Sequence, residues 1–164
     1  MMTTITKIWE SKSLIRFPDC DPFNHLNNAR YLDYFINARE DQAMKYLNFN
    51  IYGYAAEKGL SWVVRKNQIV YIKPAFLMET VVIDSTILEL REKDLLVEMK
   101  MWNEKKDKLK SILWSNFAHV SLKTQKPETH SQELMEIFKP FENSLSTPVN
   151  FDERVENLRS ISRT

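Results

Sequence analysis

Residues 19–28 of this 164-residue chain read DCDPFNHLNN, and they lead directly into a long helical pattern. Two carboxylates, an imidazole and three carboxamides lie within these residues, and polar groups at this density do not suit a hydrophobic core. From residue 29 to about residue 47, apolar residues recur at helical spacing and form a broad stripe. The polar stretch therefore marks a turn at the start of a helix that packs on a large surface, and we expect a functional site there.

The pattern around this helix is mostly that of β-strands. A strand over 6–18 precedes the turn, and strands over 62–72, 80–90, 95–101 and 109–122 follow the helix. One long apolar helix beside antiparallel strands joined by hairpins predicts an α+β fold, with the sheet wrapped around the helix. We expect residues 1–142 to form this domain and residues 143–164 to form a C-terminal tail, either part-helical or mobile. The open edge of such a sheet usually pairs with another subunit.

Composition and charge exclude several function classes. The formal net charge is +1, so no global field favours nucleic acid or a membrane surface. Two glycines, Gly53 and Gly59, are too few for a Gly-rich phosphate-binding loop. The three histidines are far apart in sequence and no H-E-x-x-H or C-x-x-C motif occurs, so we expect neither a metal site nor a cofactor. A single cysteine, without a signal-peptide or membrane-spanning apolar run, predicts a cytoplasmic location.

Asp21 is the main catalytic candidate in the turn. A carboxylate at the entry to a helix can act as a nucleophile or as a general base. The N–H groups of the first helical turn have no intrahelical partner and can bind an oxyanion. A carbonyl bound there would have its oxygen on these N–H groups and its carbon facing Asp21. Asn24 fits the same turn, because Asn tolerates the positive φ that a tight approach of the backbone to a ligand often needs.

Other interpretations of the turn residues remain open. Asp19 and Asp21 are also common turn formers, and His25 could make a structural hydrogen bond instead of serving a site. Cys20 lies between the two aspartates, whose charges raise a thiol pKa and suppress the reactive thiolate. Cys20 is therefore a poor candidate for a nucleophile.

Three further features favour structural roles. His119 alternates with strand residues and is expected to be structural, and His130 lies in a polar segment and is expected to be inert. The lysines at positions 105, 106, 108 and 110 are expected to form a solvated hairpin, with phosphate binding as the alternative.

The turn resembles the motif of the hotdog-fold thioesterases in the 4-hydroxybenzoyl-CoA thioesterase family and of the related acyl-carrier-protein thioesterases. The family pattern is Asp-x-Asp-x-x-Gly-His-x-Asn-Asn, followed by a Tyr and an Ala-Arg pair on the helix. Here it corresponds to residues 19–28, Tyr31 and Ala38-Arg39, with Asn24 in place of the Gly. The strand that ends in Tyr71-Ile72-Lys73-Pro74-Ala75 and the later hairpins agree with the family in order and length.

The resemblance implies a hotdog fold and an acyl-CoA thioesterase, which splits an acyl thioester into a free acid and a thiol without a cofactor. By position, Asp21 is similar to the catalytic carboxylate, Asn28 to the N–H group that binds the thioester oxygen, and His25 to a histidine that some members use. The substrate is expected to be an acyl-CoA or an acyl-carrier-protein thioester, and the protein a homodimer or homotetramer with active sites at the subunit interface. The predicted substrate-binding residues are Asn24, Asn27, Tyr31 and Tyr34.

Two alternatives of a different kind remain at this stage. One is a hotdog enzyme that hydrates or dehydrates an enoyl thioester, and the other is a non-catalytic protein that binds acyl thioesters. The sequence does not indicate the length of the acyl chain, nor does it distinguish coenzyme A from a carrier protein.

Overall fold

The computed structural model describes residues 3–162. Its strands are β1 (Trp9–Leu14), β2 (Leu60–Tyr71), β3 (Thr80–Leu90), β4 (Asp94–Asn103) and β5 (Leu109–Ser121), and its α-helices are α1 (Tyr31–Leu47), α2 (Ile51–Lys58), α3 (Gln132–Phe138) and α4 (Phe151–Ser162). The predicted α+β arrangement is confirmed. Within residues 3–162, no helix has both the length and the apolar character needed to cross a membrane.

The strands form one antiparallel sheet in the order β1-β3-β4-β5-β2. Hairpins join β3 to β4 and β4 to β5, as the predicted succession of antiparallel strands requires. The connection from β2 to β3 is not a hairpin, because β2 pairs with β5 while β3 pairs with β1. The segment between these two strands, which contains Pro74, is therefore free to pack against the polar turn before α1.

Alternation along the strands gives the sheet two apolar faces. Helix α1 buries Tyr31, Phe35 and Ala38 against one face, which includes Val97, Met99 and Leu113. Leu113 lies between two residues that face the opposite way, Ile112 and Trp114, as the two-residue period of a strand requires. This arrangement places α1 across one side of the sheet and leaves the other side for a different element.

Helix α4 covers the second face of the sheet. Phe151, Val155 and Leu158 are its buried residues, and they pack with Trp114 and neighbouring strand residues. Arg154 adds a bidentate ion pair with Glu98: Nε donates to Oε2 at 2.8 Å and Nη2 donates to Oε1 at 2.9 Å. Much of the segment expected to be a tail is thus a helix docked on the sheet, while the boundary placed at residue 142 stays a prediction.

Two local features differ from the sequence expectation. Strand β1 ends at Leu14, short of residue 18, because Phe17–Asp19 forms a 3₁₀ turn that contains Pro18. The connector between α1 and β2, to which the sequence pattern above assigns no element, contains the helix α2. Asn50 caps this helix by accepting hydrogen bonds from the N–H groups of Tyr52 and Gly53.

His130 lies in a loop, as expected, but its side chain is buried, and the expectation that it is inert stays a prediction. Its Nε2 accepts a hydrogen bond from the Trp62 indole at 3.0 Å, and its Nδ1 lies 2.8 Å from the carbonyl oxygen of Arg91. The ring stacks on His119 with 4.9 Å between centroids. Because Nε2 accepts a hydrogen bond while Nδ1 donates one to a carbonyl, His130 fits this place as the neutral imidazole.

Candidate active site

The side chain of Asp21 is fixed by the turn that follows it. Its Oδ1 accepts hydrogen bonds from the backbone N–H groups of Phe23 at 2.8 Å and of His25 at 3.0 Å. The N–H of Asp21 itself donates to the His25 carbonyl at 2.8 Å, which closes the loop. No group within residues 3–162 donates to Oδ2. One carboxylate oxygen therefore holds the side chain in place, and the other is available to a substrate or a water molecule.

Asn24 has the backbone conformation that the sequence predicts for it. Its φ is +61°, in the left-handed region, and its N–H donates to the Asp21 carbonyl at 3.0 Å. The Asn24 carbonyl accepts from the N–H of Leu77 at 2.9 Å, which ties the turn to the β2–β3 connection. Asn can occupy this region at modest cost, so it can replace the Gly of the family motif.

The start of the helix leaves one backbone N–H open. Asn27 is the N-cap of the short 3₁₀ turn Asn28–Arg30 that precedes α1, and its side chain accepts from the Ala29 N–H at 3.0 Å. The Asn27 carbonyl accepts from the Arg30 N–H at 2.8 Å. In contrast, the N–H of Asn28 has no acceptor in the described part of the chain. This N–H is a free donor at the start of the helix, where the motif predicts the oxyanion to bind.

A cleft of about 200 Å³ lies at this point. It brings together four of the seven predicted site residues, namely Asp21, His25, Asn28 and Tyr31. The remaining residues that line it are Leu26, Tyr71, Ile72, Lys73 and Pro74. The carboxylate and the helix start thus share one cavity, which is the arrangement expected from the sequence.

Two tyrosines hold the wall of the cleft at the helix start. The Tyr71 hydroxyl donates to the Asn28 carbonyl at 3.0 Å and so fixes the orientation of this residue. Tyr31 packs edge to face on Tyr71, with 5.0 Å between ring centroids, and its hydroxyl accepts from the Ala75 N–H at 3.2 Å. Burial raises the pKa of Tyr31, so its hydroxyl stays protonated and neutral.

The ring of His25 lies against aromatic side chains. It meets the Phe76 ring edge to face at 5.2 Å and the Phe23 ring at 6.3 Å. Neither ring nitrogen of His25 makes a hydrogen bond within residues 3–162. Packing on Phe76 positions the imidazole, and its nitrogens are available to a ligand.

Three predicted residues do not line this cleft. Asn24 and Asn27 serve the turn itself through the backbone interactions described above. The Tyr34 hydroxyl donates to Asp19 Oδ2 at 2.7 Å and accepts from the Arg16 N–H at 3.0 Å. Tyr34 lines a different cleft together with Asp19 and Arg16. Burial and the hydrogen bond to Asp19 raise its pKa to about 12.

Cys20 also lies outside the cleft, and formation of its reactive thiolate is disfavoured. Desolvation first, and then the charges of Asp19 and Asp21, raise the pKa of its thiol. This is the effect that the sequence predicts for the flanking aspartates. Within residues 3–162, no group of three or more His, Cys, Asp or Glu side chains is arranged to hold a metal ion.

Sequence reasoning missed the residues that support the wall opposite α1. Lys110 is 4% exposed, and its ammonium group donates to the Pro74 carbonyl at 2.7 Å and pairs with Glu79 Oε1 at 2.9 Å. Glu79 Oε2 accepts from the Phe76 N–H at 2.8 Å. The solvated hairpin expected for the lysines is therefore wrong at Lys110, because strand pairing places this side chain beside the β2–β3 connection.

The family follows from a comparison of the whole sequence. Residues 15–138 match the family described as the thioesterase-like superfamily. The chain belongs to this family. The match spans the polar turn, α1 and strands β2 to β5, and it confirms the resemblance drawn from the motif at residues 19–28.

Individual relatives agree with this assignment. The long-chain acyl-CoA thioesterase FadM of Escherichia coli is 28% identical over 116 residues, which are 71% of this chain and 86% of FadM. The structure of YbaW from Escherichia coli is 25% identical with a TM-score of 0.70, covering 82% of this chain and 99% of that one. The Staphylococcus aureus protein SAV2348, solved in complex with CoA, has a TM-score of 0.77 at 11% identity, covering 90% and 94%. The expected hotdog fold and the class of thioester hydrolase are thus confirmed.

Proposed function

We propose that this member of the family hydrolyses acyl thioesters of coenzyme A at the cleft that contains Asp21. The observation that carries the proposal is the pairing, in one cleft, of a carboxylate with one unengaged oxygen and a helix start with one unengaged N–H. Hydrolysis of a thioester requires both groups, because a nucleophile must reach the carbonyl carbon while negative charge develops on its oxygen. FadM, which acts on long-chain acyl-CoA, supports coenzyme A as the carrier.

Each residue has a defined role in the proposed reaction. Asp21 Oδ2 attacks the thioester carbon or removes a proton from the water molecule that attacks it. The carbonyl oxygen accepts a hydrogen bond from the Asn28 N–H, while His25 orients or polarises the thioester. In the general-base route, the water oxygen bonds to the acyl carbon, the carbon–sulfur bond breaks, and the thiolate takes up the proton that Asp21 removed from the water. In the nucleophilic route, the acyl group first forms an anhydride with Asp21 as the carbon–sulfur bond breaks. Water then hydrolyses this anhydride to the free acid, and the proton released goes to the thiolate. Tyr31 borders the bound acyl group.

We also infer that two copies of the chain pair through strand β2. This strand is at the edge of the sheet, and Val63 and Val64 on it are 46% and 43% exposed. An exposed apolar edge strand is a template for pairing with another strand. A second copy would bring its own residues close to the cleft, in line with the interface active site that the motif implies. Tyr34 does not line the cleft of its own chain, so its predicted role in substrate binding would require such a dimer. This role stays a prediction.

Thiol release from a panel of acyl-CoAs tests the proposed reaction. The panel should include acetyl-CoA, dodecanoyl-CoA and benzoyl-CoA, with crotonyl-CoA followed in parallel for loss of its double bond. We expect release of free coenzyme A from at least one saturated acyl-CoA. Hydration of crotonyl-CoA without thiol release would contradict the proposal in favour of a hydratase. Tight binding of the panel without any turnover would indicate a non-catalytic binder.

A further inference from the structure

A second cavity, of about 210 Å³, lies between α1, α2 and strands β2, β4 and β5. It shares no lining residue with the cleft that contains Asp21. Most of its wall is apolar and includes Ile36, Ala43, Trp62, Val97 and Phe117. We call it the α1 cavity. An apolar wall of this kind would suit a hydrocarbon chain.

Arg39 places a positive charge in the α1 cavity. Its Nη1 donates to Ser85 Oγ at 3.0 Å, and its Cζ lies 4.5 Å from the centroid of the Trp9 ring. Ser85 and Trp9 are 0% and 1% exposed, so the guanidinium contacts the buried core. Arg39 as a residue is half-buried and is among those that line the cavity.

The guanidinium has no carboxylate partner within residues 3–162. A guanidinium carries five N–H donors, and only one of those on Arg39 is used, toward Ser85. The Ser85 hydroxyl proton is itself committed to Gln42 Oε1. The carboxylate of Glu40, which also lines the cavity, accepts a hydrogen bond at 2.7 Å from the hydroxyl of Tyr52, a residue that is 70% exposed. The Glu40 carboxylate is thus engaged by an exposed tyrosine and forms no ion pair with Arg39.

A buried cation without an anion is energetically unfavourable. Burial lowers the pKa of Arg39 to about 10, which still leaves it charged at neutral pH. The Trp9 ring face compensates in part through a cation–π contact. A carboxylate would compensate more, because its two oxygens match the paired N–H groups of a guanidinium. The α1 cavity therefore combines an apolar wall with a cationic side chain that favours a carboxylate.

We propose that the α1 cavity binds an apolar chain that ends in a carboxylate, with the carboxylate on Arg39 and the chain against the apolar wall. A free fatty acid has this chemistry, and so does the far end of a dicarboxylic acyl group attached to coenzyme A. The proposal does not depend on the hydrolytic activity, since binding to the cavity is measured without turnover. It can therefore fail or succeed independently of the proposed function.

Calorimetric titration of the full chain with dodecanoate and with 1-dodecanol tests the role of the charge. We expect one dodecanoate per chain, and we expect Arg39→Met to weaken its binding about tenfold or more while Arg39→Lys retains most of it. Dodecanol, which lacks the carboxylate, should bind both the wild type and Arg39→Met with the same weak affinity. Equal binding of dodecanoate to the wild type and to Arg39→Met would overturn the proposal, as would no binding to the wild type in this test.

A matched pair at an exposed position keeps the test valid if the Arg39 variants fold poorly. Met44 lines the α1 cavity and is 48% exposed, so substitution there leaves the core intact. Met44→Glu adds a negative charge near the path of the ligand, and Met44→Gln has the same shape without the charge. We expect Met44→Glu to bind dodecanoate several-fold more weakly than Met44→Gln does, with no such difference for dodecanol. Identical dodecanoate affinities would contradict a site in this cavity.

Two further titrations locate the binding site and identify the source of the carboxylate. Asp21→Asn should leave dodecanoate affinity unchanged, and a large change would place the fatty acid in the Asp21 cleft and overturn the proposal. Two non-hydrolysable thioethers, S-dodecyl-CoA and S-(11-carboxyundecyl)-CoA, are then compared by the same titration. A tenfold advantage of the carboxylated thioether that is lost in Arg39→Met identifies a dicarboxylic acyl group, and an Arg39-dependent advantage of dodecanoate alone identifies the free acid. If neither advantage depends on Arg39, the proposal is wrong.

Discussion

The backbone N–H of His25 donates to Asp21 Oδ1 at 3.0 Å, and this hydrogen bond joins the two candidate catalytic residues through a single turn. The same oxygen accepts from Phe23, so the direction of the carboxylate is set by the backbone and not by a neighbouring side chain. Any change to the conformation of the turn should therefore change the position of Asp21 Oδ2 relative to the Asn28 N–H.

Substitution of Asn24 tests the turn directly. Asn24 has a φ of +61°, a conformation that β-branched residues strongly disfavour. We expect Asn24→Val to lower the free energy of unfolding by about 1–3 kcal/mol and to reduce thioesterase activity. Asn24→Gly should keep both properties close to those of the wild type, because Gly adopts positive φ without strain. Urea unfolding and thiol release measure the two effects, and equal stability of the Val and Gly variants would contradict this account of the turn.

The ion pair of Lys110 with Glu79 should position the wall that carries Phe76. Because the Lys110 ammonium group is buried and Glu79 also holds the Phe76 N–H, removal of one partner leaves an uncompensated charge. We expect Lys110→Met to cost about 3 kcal/mol of stability and to lower kcat. The double variant Lys110→Met/Glu79→Gln should be more stable than the sum of the two single changes predicts. Strict additivity in the unfolding measurements would show that the two residues do not act as a pair.

Arg154 should anchor helix α4 to the sheet. The Glu98 side chain is fully buried, and Arg154 binds both of its carboxylate oxygens. Arg154→Met removes this partner, and we expect a loss of about 3–5 kcal/mol in the free energy of unfolding. Arg159→Met, on the same helix, is the matched control and should change stability by no more than about 0.5 kcal/mol. If Arg154→Met destabilised the protein as little as Arg159→Met does, the helix would dock through its apolar residues alone.

His130 should make the fold sensitive to mild acid. Desolvation lowers its pKa below the ordinary 6.5. The hydrogen bond to the Arg91 carbonyl opposes this in part, His119 adds a smaller lowering effect, and Asp94 has a still smaller raising effect. A histidine whose folded pKa is depressed stabilises the fold above the unfolded pKa, and this contribution is lost as the pH falls below about 6.5. His130→Gln should therefore show a smaller loss of stability than the wild type between pH 7.5 and pH 5.5. Urea midpoints at both pH values measure this. An equal loss of stability in the wild type and in His130→Gln would exclude His130 as the cause.

The structural features that the sequence predicts best are those that depend on residues close to one another along the chain. The positive φ of Asn24 follows from its place in the turn, so local rules suffice there. The flanking aspartates also raise the pKa of Cys20 as predicted, although desolvation is the larger cause. The long helix and the hairpins β3–β4 and β4–β5 follow from periodicity. These features are also the ones that carry the family motif.

What the sequence does not predict depends on contacts between distant segments. Lys110 reaches Pro74 because the N–H groups of Ile72 and Lys73 bond to the Lys110 carbonyl, a register that no local pattern reveals. His130 is buried because it meets Trp62 and Arg91, which are far from it along the chain. Tyr34 belongs to the same helical stripe as Tyr31, yet a hydrogen bond to Asp19 holds it in another cleft. Side-chain partners of this kind emerge only when the strands are paired.

The kcat/KM of Asp21→Asn with an acyl-CoA substrate tests the central claim most directly. Asn keeps the side-chain oxygen that accepts the backbone hydrogen bonds but removes the charge needed for attack or proton transfer. With the urea midpoint unchanged, we predict a loss of about 10²–10⁴-fold, while Asp19→Asn, whose carboxylate binds Tyr34 outside the cleft, should stay within about tenfold of the wild type. An Asp21→Asn variant that folds and hydrolyses acyl-CoA at the wild-type rate would contradict the assignment of Asp21 as the catalytic carboxylate.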